Sequence, residues 1–170
     1  MVGGNNIEGT TNDNANNIWM YGDEGQDTMY GIDDAVNSFM KGGEGDDYMR
    51  NGDDSTGMSL VHGDDGEDII HPGSGAADVE VNGGKGDDII NPTMWDGSQF
   101  GTLDVNGDFV AGFGATGNTK EVLNGNDGDD TIWAGSEIGS EMVVTGGRGN
   151  DSIYGSYNSG IPEYYYGNSG

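Results

Sequence analysis

The chain has 170 residues, 35 of them Gly, with 31 Asp plus Glu against 5 Lys plus Arg and a formal net charge of −26. It has no Cys, which excludes disulfides and Cys-ligated metals, and no apolar run near the roughly 20 residues that span a bilayer. This acidity argues against nucleic acid and anionic membrane surfaces and favours cations; left unstructured, such a composition would read as disorder.

In chain order, a nine-residue unit recurs. A weak copy opens at Gly3 (GGNNIEG). Full copies follow as GDEGQDTMY at Gly22, GGEGDDYMR at Gly42, GDDGEDIIH at Gly63 and GGKGDDIIN at Gly83. A second weak copy at Gly107 (GDFVAG) has lost its Asp. Full copies return as GNDGDDTIW at Gly125 and GGRGNDSIY at Gly146, and Gly167 starts a partial one. The full copies are spaced 20, 21, 20, 42 and 21 residues apart. The 42 is two periods, so the copy at Gly107 is expected to supply a coil.

Two columns separate this pattern from low-complexity coil. Motif position 8 is Ile7 (by alignment), Met29, Met49, Ile70, Ile90, Val110, Ile132 and Ile153. Two residues before each first Gly stand Met20, Met40, Val61, Val81, Val105, Leu123, Val144 and Tyr165. Such a register is kept when each column is an inward ladder buried by the coils above and below. One short strand therefore precedes each motif and another closes it. The expected fold is all-β, a right-handed parallel β-solenoid of about eight coils with a 20–21-residue period. It forms a single repeat domain over 1–170, an excerpt or polymerising unit of a longer array.

The turn reads G-x-x-G-x-D. Gly at positions 1 and 4 is expected to take positive φ and curl the backbone. Position 6 is Asp27, Asp47, Asp68, Asp88, Asp130 and Asp151. Stacking would bring these carboxylates about 5 Å apart, a repulsive arrangement unless a cation lies between. About half of the acidic side chains sit in the six full motifs. A hard cation that takes six to eight oxygens, Ca2+, suits this mixture of carboxylates and carbonyls.

The motif resembles the nonapeptide G-G-x-G-x-D-x-U-x of RTX (hemolysin-type calcium-binding) β-roll proteins, where U is a large apolar residue. The copies at Gly42, Gly83 and Gly146 match in full; those at Gly22, Gly63 and Gly125 carry Asp, Asp and Asn at position 2. The resemblance implies side-chain ligation by the six position-6 Asp residues. It also implies carbonyl ligation by the first glycines (Gly22, Gly42, Gly63, Gly83, Gly125, Gly146) and by position 3 (Glu24, Glu44, Asp65, Lys85, Asp127, Arg148). With one motif per coil, the calcium turns should line one edge only. Pairing 22/42, 42/63, 63/83 and 125/146 gives about four intercoil sites.

The resemblance further implies a secreted or cell-surface bacterial protein, exported by type I secretion, although neither a signal peptide nor a family-type C-terminal signal is visible. The expected function is a calcium-stiffened extracellular structural module: adhesin spacer, surface-layer piece or filament component. The alternative is the calcium-binding tail of a type I-secreted enzyme or toxin. No hydrolase triad, HExxH or phosphate loop is present, so an enzyme is not expected. His62 and His71 are expected to face outward. The column three residues before each first Gly (Trp19, Phe39, Leu60, Glu80, Asp104, Val122, Val143, Tyr164) is uneven, which argues against a repetitive ligand lattice. The Tyr-rich C-terminal part could serve head-to-tail self-assembly.

Overall fold

Alternating apolar and polar residues before each first Gly give strands with one buried face. The computed structural model describes residues 6–8, 17–54, 56–73, 77–91, 94–95, 100–103, 109–111, 120–134, 141–155 and 163–167. After β1 (Asn6–Glu8), long strands alternate with short ones: β2 (Asn17–Glu24) and β3 (Thr28–Tyr30), β4 (Asn37–Glu44) and β5 (Tyr48–Arg50), β6 (Met58–Asp65) and β7 (Ile69–His71), β8 (Asp78–Lys85) and β9 (Ile89–Ile90). An insertion holds β10 (Met94–Trp95), β11 (Phe100–Leu103) and β12 (Phe109–Ala111). The alternation resumes with β13 (Lys120–Asp127) and β14 (Thr131–Trp133), then β15 (Glu141–Arg148) and β16 (Ser152–Tyr154), and ends on β17 (Glu163–Tyr166).

The long strands stack in parallel as one sheet, β17-β15-β13-β8-β6-β4-β2, and the short ones as a second, β1-β3-β5-β7-β9-β14-β16. This is the expected parallel β-solenoid. Both expected columns are in register. Met20, Met40, Val61, Val81, Leu123, Val144 and Tyr165 run across the first sheet. Ile7, Met29, Met49, Ile70, Ile90, Ile132 and Ile153 run across the second. From Met29 to Ile132 the second column is fully buried. A third inward column, at the second residue of each long strand, mixes Ile18, Val79 and Met142 with Ser38, Ser59 and Glu121, all buried.

The coil count differs from expectation. Among the described residues six coils carry both strands, with single strands β1 and β17 beside them. The copy at Gly107 is not a coil: Phe109–Ala111 pairs antiparallel with β11, in a three-stranded sheet apart from both stacks. The coil at Gly83 stacks directly on the coil at Gly125, with β8 on β13 and β9 on β14. A motif without position-6 Asp cannot accept the backbone N–H that joins one full turn to the next, whereas a local hairpin satisfies its strand at short range. Val110 thus leaves the inward column. Of the expected copy at Gly3 only β1 is described; Gly3, Asp104, Val105, Gly107 and residues 168–170 lie outside the described residues.

Candidate metal centre

Each turn begins where a long strand ends. The parallel ladder pairs the residues on either side of the first Gly, such as Tyr21 with Lys41 and Asp23 with Gly43, but skips the glycine itself. The same gap recurs at all five steps between the six coils. The position-1 glycines do not take positive φ, contrary to expectation; positions 2 and 4 do. Position 2 has φ of 73° at Asp23, 80° at Asp64 and 85° at Asn126, and Gly elsewhere. Asp and Asn are the non-glycine residues that tolerate this region best, which accounts for the departures from a second Gly.

The first Gly is needed for close approach instead. A Cβ added to Gly42 would meet Asp47 Oδ2 and the carbonyl of Gly63. The same pair of oxygens, the Oδ2 of a coil's own Asp and the first-Gly carbonyl of the next coil, meets a Cβ at Gly22, Gly63, Gly83 and Gly125. Two oxygens therefore converge at every intercoil step: Asp27 with Gly42, Asp47 with Gly63, Asp68 with Gly83, Asp88 with Gly125 and Asp130 with Gly146. The row is not interrupted between Gly83 and Gly125, so there are five such places rather than four.

The other carboxylate oxygen is engaged. Backbone N–H groups of Asp27, Asp47, Asp68, Asp88 and Asp130 donate to Oδ1 of the next coil's Asp at 2.7, 2.8, 3.0, 2.9 and 3.2 Å. Asp47, Asp68, Asp88 and Asp130 are 1–2 % exposed, and their Oδ2 atoms are buried without a hydrogen-bond donor. Such an oxygen is costly to leave unmatched. Burial first, and then neighbouring carboxylates, raise these acids against the pull of the N–H bond. Asp47 and Asp130 rise to about 6, Asp68 to about 7 and Asp88 to about 8.

Among the described residues no three His, Asp or Glu side chains gather at one point. A cation here would be held by one carboxylate and backbone oxygens, a donor set that suits calcium rather than zinc. The position-3 carbonyls of Glu44, Asp65, Lys85, Asp127 and Arg148 already accept the position-4 N–H of the preceding coil at 2.7–2.8 Å. Each retains a second lone pair. Glu24 lies in the same column. Asp151 accepts from Asp130 and its Oδ2 faces Gly146, at the far end of the row.

Position 5 carries a device the sequence did not reveal. Asp46, Asp87 and Asp129 accept the position-5 N–H of the following coil at 2.7–3.0 Å, opposite in direction to the position-6 ladder. These acids stitch the turns. His71 does not face solvent as expected: it is 3 % exposed, packs on the Tyr48 ring at 5.5 Å and is pushed down to about 3 by burial. His62 stands on the outer face beside Asn82 at 3.2 Å.

Four copies of the RTX calcium-binding nonapeptide repeat match the chain, over residues 55–79, 116–136 and 143–157. Comparisons with curated proteins and with solved structures gave no match.

Proposed function

From a chain that carries RTX calcium-binding nonapeptide repeats, we propose a calcium-folded extracellular structural module, a spacer or filament piece at a bacterial cell surface. The supporting observation is the recurrence, at five successive steps, of a buried carboxylate oxygen facing a glycine carbonyl. Calcium supplies the positive charge that lets these oxygens approach. In this reading Asp27, Asp47, Asp68, Asp88 and Asp130 hold the ions with the carbonyls of Gly42, Gly63, Gly83, Gly125 and Gly146, and the position-3 carbonyls assist.

Binding energy then becomes folding energy. Without the ion, stacked carboxylates repel, and narrow apolar columns must order a chain with 35 Gly residues. Extracellular calcium modules bind at roughly 10⁻⁴ to 10⁻³ M, so the chain would stay loose at cytosolic calcium and fold outside the cell. The domain is not itself an enzyme in this reading. His71 serves packing, and His62 joins an outer-face hydrogen-bond ladder through Asn82 to Asn124.

Small-angle scattering with circular dichroism during a calcium titration tests the module. An expanded, β-poor chain that becomes a compact β-structured particle supports it. Full β-structure in excess chelator would remove the folding switch.

A further inference from the structure

The outer face of the long-strand sheet changes character along the stack. At its β2 end Trp19 is 64 % exposed and Tyr21 47 %. Both rings pack against Phe39, with centroids 5.1 and 5.7 Å apart. These side chains point outward because they alternate with the buried Ile18 and Met20. In the middle of the stack the same two columns carry Leu60, Glu80, Val122 and Val143 and Lys41, His62, Asn82, Asn124 and Thr145, and at β17 they return to exposed Tyr164 and Tyr166. Of the two aromatic ends, only the β2 end stands beside the acids described next. An exposed aromatic group of this size on a strongly hydrophilic chain marks a contact surface.

In the position-3 column beside it, the described acids at the β2 end lack the neighbouring base that the others have. The position-3 column reads Glu24, Glu44, Asp65, Lys85, Asp127, Arg148 along the stack. Its last four members pair off: Lys85 holds Asp65 at 2.6 Å and Arg148 holds Asp127 at 3.0 Å. Glu24 and Glu44 stand opposite each other in register, and their neighbours within the column are acids, not bases, a repulsive cross-strand pair. Asp23 adds a third acid in the same open groove of about 980 Å³, which Tyr21 also lines. Lys41, the nearby base, is taken by Asp64 at 2.8 Å.

We propose that this corner, Trp19, Tyr21 and Phe39 with Asp23, Glu24 and Glu44, docks an arginine- or lysine-bearing segment of a partner protein. A guanidinium or ammonium group stacks on an aromatic face and pairs with carboxylates. A cation between Glu24 and Glu44 would complete the alternation that Lys85 and Arg148 provide elsewhere. A neutral glycan would use the aromatic floor but gives the acidic rim no role. A second copy of the chain brings a further −26 of like charge.

The test is isothermal titration calorimetry of the calcium-saturated 170-residue chain with capped hexa-arginine. Hexa-glutamate and cellohexaose are the comparison ligands. Saturable binding of hexa-arginine alone is expected. Trp19→Ser and the double variant Glu24→Gln/Glu44→Gln should each weaken it about tenfold. The equally charge-reducing pair Asp78→Asn/Glu141→Gln, on the same face away from the aromatics, should change it by less than roughly twofold. Tyr21→Ser replaces Trp19→Ser if the latter loses its β-sheet spectrum. Equal weakening by both charge pairs would reduce the effect to diffuse attraction and overturn the site. So would cellohexaose binding in place of the peptide, or self-association that Trp19→Ser abolishes.

Discussion

Removing calcium and lowering the pH from about 8 to about 5 should fold the chain, because protons then do part of the ion's work. The folded carboxyls of Asp47, Asp68, Asp88 and Asp130 titrate at about 6 to 8, above their ordinary 3.8. Across that window the folded chain holds more protons than the unfolded one. Stability of the metal-free fold therefore falls as pH rises from about 4 through 8. For Asp88 alone, a rise from 3.8 to about 8 corresponds to roughly 6 kcal/mol. Relaxation and water penetration of the metal-free turn lower this to a few kcal/mol. With smaller contributions from the other three, the cost approaches the stability of a whole domain, about 5–15 kcal/mol. Far-UV circular dichroism of the dialysed, metal-free protein against pH is the assay. Asp88→Asn keeps the shape and removes the charge. It should let the metal-free chain stay folded to higher pH, while lowering the calcium-loaded Tm by about 4–8 °C. A metal-free chain equally folded at both pH values, or a variant that moves both states in the same direction, would refute the reasoning.

Three further outcomes follow from the same geometry. Gly83→Ala places a methyl group against Asp88 Oδ2 and the Gly125 carbonyl, and should cost about 1–3 kcal/mol of calcium-loaded stability and one bound ion, read by thermal melts and by native mass spectrometry. Replacing residues 92–119 with a copy of the six-residue connection 72–77 should leave the calcium-loaded fold and ion count unchanged, since β8 and β13 already pair directly; a lost ion or collapsed sheet signal would show that the insertion is integral to the stack. Asp129→Asn, which removes charge from the stitching position but keeps an acceptor for the Asn150 N–H, should leave calcium stoichiometry intact, and loss of an ion would promote position 5 to a ligand.

The parallel stack and the position-6 ladder could be read from the chain because both recur in phase with side chains that have one physical reason to be there. Met20 through Val144 and Met29 through Ile153 are apolar in every coil, as only an inward column requires. The eight-coil expectation fails because the 42 residues between Gly83 and Gly125 hold one step of the stack and an insertion, not two periods. Position 2 held the corrective signal: Asp23, Gly43, Asp64, Gly84, Asn126, Gly147 alternates without a break between Gly84 and Asn126. Position 3 likewise runs Asp65, Lys85, Asp127, Arg148, as direct neighbours would. The column of Ile18, Ser38, Ser59, Val79, Glu121 and Met142 was not legible, because a polar and apolar mixture has no hydrophobic register to follow. Nor was the reason for the first Gly. Composition shows that glycine is kept there, but only the approach of Asp Oδ2 and the next carbonyl separates a close contact from a left-handed turn. His71 escaped because alternation assigns it the outer side of its strand and does not reveal that this place is covered.

Anomalous diffraction from crystals grown in calcium addresses the ions themselves. The account predicts a peak at each of the five intercoil steps, between an aspartate Oδ2 and the first-glycine carbonyl of the next coil, the Asp88–Gly125 step included. Well-ordered coils whose steps carry no peak in saturating calcium would contradict it.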